Sequence, residues 1–175
     1  MQLTEKGQKL YKKKRFNIFK TEDNKRSVAE SLINGSKDIN DFVDGRSICY
    51  DCVGFVVALL NEDRISYGKL QRLSGYQWVN RLGFPIGRRW NGMEQIPRGT
   101  AIGFKSVQEG SYRRNKFFHS SIGVGGTQVR GVNGGTLGSH WQPANLKTAL
   151  KVENNIIRLG NEEIEVWLST YFKTL

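Results

Sequence analysis

The segment "SICYDCVGFVVALLNE", residues 47–62, holds both cysteines of the chain, Cys49 and Cys52, directly ahead of an apolar run. Thiols at this spacing can ligate a metal, cycle between dithiol and disulfide, or supply a nucleophile. Structural zinc needs four ligands, and the chain adds only His119 and His140, at spacings unlike those of paired ligands. A thioredoxin-like pair should follow a strand in a βαβ pattern, and the first half carries none. The third reading makes Cys52 a nucleophile. In the first turn of a helix, unpaired backbone N–H groups and the positive end of the macrodipole favour a thiolate. The plain alternative is a buried thiol acting as a small hydrophobe, and the segment by itself leaves both open.

A thiol nucleophile needs a base. His119 lies in "KFFHSSIGV", at the start of an apolar strand with small residues after it, which leaves room around an imidazole. His140 lies in the glycine-rich "GTLGSHWQP", where a surface or substrate-contacting role is the simpler reading. His119 is therefore the expected base, since a strand packed on a helix can bring a ring to that helix's N-terminus.

The elements that must position these groups follow from pattern. Val28, Leu32 and Ile33 have helical spacing and end at Asn34-Gly35. Val53 to Leu60 is almost continuously apolar, and Asp51 before it and Asn61 after it predict a buried helix rather than a strand. Residues 64–92 read as a surface excursion with some helix, carrying Tyr67, Tyr76, Trp78 and Trp90 among basic groups. From there on, "IPRGTAIGFKS", "FFHSSIGVGG", "TQVRGVNGG", "NIIRLG" and "EIEVWLSTY" read as strands joined by glycine turns. Helices first and antiparallel strands second describe an α+β domain spanning residues 1–175.

With 27 Lys and Arg against 16 Asp and Glu, the formal net charge is +11, which favours a polyanionic partner: nucleic acid, anionic lipid or bacterial cell wall. Residues 1–27 form a basic N-terminal segment in which "KKKR" at 12–15 is flanked by Leu10, Tyr11, Phe16, Ile18 and Phe19. It reads as an anion-binding arm or as a solvated face whose apolar side packs on the body. No apolar run approaches the roughly 20 residues of a membrane span. The N-terminus also lacks the apolar core and cleavage site of a signal peptide, so cytoplasmic synthesis and export by a dedicated apparatus are expected.

"YDCVGFVVALL" resembles the nucleophile motif of the NlpC-type papain-like cysteine peptidases, "IPRGTAIGF" is similar to that family's strand entry, and "HSSIGVGGTQV" is similar to its histidine hairpin. The three come in the family's order and cover residues 47–133. The resemblance implies a papain-like fold, with Cys52 at a helix N-terminus facing His119 on an antiparallel sheet. It implies hydrolysis of amide bonds in peptidoglycan stem peptides through a thioester, with the oxyanion held partly by the Cys52 N–H and with no metal or organic cofactor. The third catalytic residue should be polar and should follow the hairpin. Asn133 and Gln128 can accept the imidazole N–H and Arg130 cannot, so Asn133 is chosen. Asp51, Trp78, Trp90 and His140 are expected to line the substrate. Cys49 is either a packing residue or a partner that silences Cys52 by a reversible disulfide. Val53 and Thr100 depart from the family pattern, which usually has a small residue and an acidic one there.

A small basic wall amidase also resembles the antibacterial effectors delivered by type VI secretion, active in the periplasm or cell wall of a target bacterium and blocked by a cognate immunity protein. Two rivals stand beside it. One is a papain-like toxin that cleaves or deamidates a host protein. The other is a nucleic-acid-binding domain using its aromatic and basic residues for stacking and charge, a reading that leaves the cysteine and histidine motifs unexplained.

Overall fold

The computed structural model describes residues 1–11, 24–44, 48–61 and 67–170, the side chain of Tyr67 excepted. The basic run at 12–15, with Phe16, Ile18 and Phe19, lies outside the described residues. The helices are α1 (Glu5–Lys9), α2 (Lys25–Asn34), α3 (Cys49–Leu60), α4 (Tyr67–Leu70) and α5 (Gly75–Arg81). The strands β1 (Arg88–Arg89), β2 (Ala101–Ser106), β3 (Phe117–Gly125), β4 (Gln128–Arg130) and β5 (Ala144–Asn145) follow. A short α6 (Leu146–Ala149) then precedes β6 (Lys151–Glu153), β7 (Ile156–Leu159) and β8 (Glu162–Leu168). The architecture is α+β: helices first, then one curled antiparallel sheet forming a half-barrel.

Local chemistry sets the helix ends. The Asn24 side chain accepts from the Ser27 N–H to start α2, and Gly35 at φ +84° ends it in the left-handed conformation that glycine adopts without cost. Ser74 and Gln77 form a reciprocal capping box at the start of α5. Helix α3 has no side-chain cap. Its stability comes from burial: every residue from Cys49 to Leu59 is buried, as expected of a helix that is apolar all round.

The sheet order is β5-β4-β3-β2-β8-β7-β6, with β1 pairing β8. Alternation along the strands separates two cores. On the helical face, Ala101 of β2 and Ile122 of β3 pack with Val53, Phe55 and Val56 of α3 and with Leu32 and Ile33 of α2. On the inner face of the curl, Ile102, Phe104, Val129, Val166 and Leu168 pack with Trp90, Leu137 and Leu146. A register shift between Phe104 and Lys105 breaks the alternation at the start of β3. Phe117 therefore packs on the helical side and Phe118 on the inner side. The loop ahead of β3 is fastened by Arg113, whose guanidinium forks onto the Glu162 carboxylate and lies 3.9 Å over the Phe118 ring. No helix among the described residues is long and apolar enough to cross a membrane.

Candidate active site

The first turn of α3 carries both thiols, and both are buried. They face different neighbours. Burial raises the Cys49 thiol from 9.0 to about 11, against the backbone N–H groups of Ser120, Tyr50 and Cys49 itself, which favour the thiolate. The influence of the Ser120 N–H, next in sequence to His119, fits the packing of α3 on β3. Cys52 is buried more deeply and its thiol is raised further, first by burial and then by the charges of Asp51, Cys49 and Asp38. Asp38 is the cap of the 3-10 turn Ile39–Asp41.

His119 is buried, with its pKa lowered by burial to about 4, so it is neutral at pH 7. Its Nε2 lies 3.2 Å from the Leu137 carbonyl oxygen. A carbonyl only accepts, so Nε2 carries the proton and Nδ1 holds the free lone pair. The ring packs 5.5 Å from Phe104, its register partner on β2. Phe104 belongs to the inner core, whereas Ser120 and Ile122 alternate to the helical side. The imidazole therefore leaves β3 on the face away from α3 and its two thiols, and His119 is not among the groups acting on either sulfur. The expected Cys52–His119 contact is not assembled, because the pleat sends adjacent side chains to opposite sides of a strand.

Asn133 is not the orienting residue. It is exposed, in a left-handed turn at φ 58°, while the Leu137 carbonyl holds the imidazole. Gly134 lies against the ring so closely that a Cβ there would overlap it. A backbone acceptor has no residue-type signature, which is why the sequence points to a side chain instead. Gln128 is exposed in β4 and pairs in register with Asn145.

The expected substrate contacts also take other roles. Trp78 is wholly buried, donates from Nε1 to Asp51 Oδ1 at 2.9 Å, and packs on Gly54, where a Cβ would overlap its ring. Asp51 is buried as well and lies 4.0 Å from the Met1 ammonium, so it ties the chain start and α5 to α3. Burial raises its carboxyl above the usual range, opposed by that ammonium and by the Trp78 indole. Trp90 is buried in the inner core and donates to the Glu94 carbonyl. Neither tryptophan offers a face for stacking, so the aromatic half of the nucleic-acid reading loses its two largest rings. His140 is exposed at φ 53°.

Arg130, passed over in the sequence except as an impossible acceptor, organises this region. It donates to the carbonyls of Ile33 and Asn34 at the end of α2, and to that of Trp141. Among the described residues there is no group of three or more His, Cys, Asp or Glu that could hold a metal ion. Compared with protein-family models and with curated proteins, the chain matches none.

Proposed function

We propose that the chain is a thiol-dependent amidase of the papain-like kind, acting on peptidoglycan stem peptides as an antibacterial toxin. One observation carries this reading: the first turn of a buried helix carries both thiols and places Cys49 beside Ser120, next in sequence to the chain's one buried histidine. In this reaction a thiolate adds to the amide carbonyl, the amine leaves with a proton, and water resolves the thioester. Two sulfurs compete for the role. Cys52 matches the family motif. Cys49 is the one met by three backbone N–H groups, the type of donor that steadies a thiolate or an oxyanion. Base catalysis by His119 requires Nδ1 to reach a sulfur, which in turn requires rearrangement where the 131–138 loop covers the ring. The net charge of +11 suits an anionic wall, and a cognate immunity protein would act by covering the thiol-bearing end of α3.

The test is digestion of purified peptidoglycan by wild type and by Cys49→Ala, Cys52→Ala and His119→Ala, with fragments identified by mass spectrometry. Loss of released peptides in His119→Ala and in one cysteine variant supports the proposal and names the nucleophile. Full activity in both cysteine variants would sink it.

The separation of the thiols and imidazole by the sheet favours a second reading, a binding domain whose cysteines and histidine are core groups. Under that reading wild type releases nothing from peptidoglycan, and all three variants differ from it only in stability.

A further inference from the structure

On the helical side of the sheet, a cavity of about 510 Å³ opens between α5 and the bulged start of β3. It lies within the usual range for a small-molecule site, about 300–1,000 Å³. Tyr50, Val79 and Phe117 form its apolar wall, Tyr76 stands at the rim, and Lys105 and Lys116 bring positive charge. The register shift in β2–β3 is what places these groups together. It turns Phe117 to this face opposite Lys105, whose ammonium lies 5.8 Å from the ring centroid.

Three independent features mark the cavity as built to be filled. First, Tyr50 lines the cavity yet is only 8% exposed, with its hydroxyl sealed from solvent, so what it offers a ligand is the side of its ring. Second, no acidic residue is among the described residues lining the cavity, and Glu165, which stands opposite Lys105 in register on β8, is engaged by Arg89. Third, exposed apolar side chains gather at its edge. Tyr76 is 78% exposed, Ile48 at 45% borders the lining residue Gly75, and Ile86 at 68% follows the lining residue Pro85. Three of the six large exposed apolar side chains among the described residues thus lie in or next to this lining, and a patch of that kind marks an interaction site.

We infer that this cavity binds a small organic anion with a planar apolar body, its rings against Tyr50 and Phe117 and its acid group between Lys105 and Lys116. Two lysines in a lining with no acidic described residue favour an anion over a neutral or cationic ligand. The aromatic walls and the flat shape of Tyr and Phe select a ring system over a branched aliphatic body. The inference stands without the amidase reading, since it uses neither thiol nor His119.

The probe is anilinonaphthalene sulfonate, an aromatic monoanion, titrated into the full chain by calorimetry and fluorescence, with neutral phenylnaphthylamine as the control. Saturable binding at one site is expected, with the neutral compound weaker by about tenfold or more, the loss of one charged contact. Lys105→Gln, half-buried, combined with Lys116→Gln, exposed, should weaken the anion by at least about tenfold and leave the neutral compound unchanged. Val79→Trp, which fills the cavity, should abolish binding of both compounds. Equal affinity for the two compounds, or unchanged anion affinity in the double lysine variant, would overturn the inference. So would binding at many unsaturable sites.

Discussion

At His119 a single hydrogen bond decides which nitrogen can act as a base. With Nε2–H committed to the Leu137 carbonyl, the proton must be taken on Nδ1, inside a core that disfavours the cation. The consequence for stability has a definite sign. The folded pKa is lowered from 6.5 to about 4, so below pH 6.5 the unfolded chain binds the proton first. The contribution of His119 is fully present above 6.5, declines as pH falls, and is exhausted near pH 4, a change on the order of 3 kcal/mol. Urea unfolding across this window should show that decline in wild type and a shallower one in His119→Gln; parallel slopes would refute the assignment. The thiols follow the same logic. With Cys49 raised to about 11 and Cys52 further still, iodoacetamide at neutral pH should label the folded chain far more slowly than the urea-unfolded chain. Labelling at equal rates, followed by peptide mass spectrometry, would show that one sulfur is open to solvent.

At the scale of elements, α3 is held by fit rather than by caps. Gly54 shows this most directly, because its missing side chain is the space that Trp78 occupies. In an exposed helix, Gly→Ala stabilises by about 0.5–1 kcal/mol. Here overlap with an indole that is wholly buried and hydrogen-bonded to Asp51 outweighs that gain, and Gly54→Ala should destabilise by about 1–3 kcal/mol, read from the denaturant midpoint. A rise in stability would mean that Trp78 is free to move aside. The junction of α2 with the sheet depends on Arg130, whose planar fork serves two C-terminal carbonyls of α2 and the Trp141 carbonyl at once. Lysine keeps the charge but not the fork, so Arg130→Lys should cost about 1–3 kcal/mol in unfolding free energy. A change below about 0.5 kcal/mol would show that solvent satisfies those carbonyls equally well.

At the scale of the molecule, the net charge of +11 acts at long range and is screened by salt. If the chain acts on the cell wall as proposed, its binding to isolated sacculi should weaken steeply as ionic strength rises from about 0.05 to about 0.5 M, and co-sedimentation measures it. Retention that ignores salt would place the affinity in specific contacts instead. The cavity beside α5 belongs to this scale too, because helix, strand bulge and loop each supply part of its wall.

The amino-acid sequence by itself determined the helical first half and the stranded second half. It also marked the buried helix after Cys49, the stop at Gly35, and the strands that contain His119 and end at Gly160, because apolar period and glycine turns are local properties. It also marked Cys49, Cys52 and His119 as the residues whose chemistry is unusual. Only the tertiary structure decided how they meet. Which face of β3 a side chain takes depends on pairing register, and one shifted residue at Phe104/Lys105 reassigns Phe117 and Phe118 between the two cores. That the carbonyl of Leu137 orients His119, that Trp78 and Trp90 are core residues, and that Tyr50 lines a cavity all depend on contacts between residues far apart in the chain. Residue type cannot announce a backbone acceptor or an unfilled space; only packing creates them.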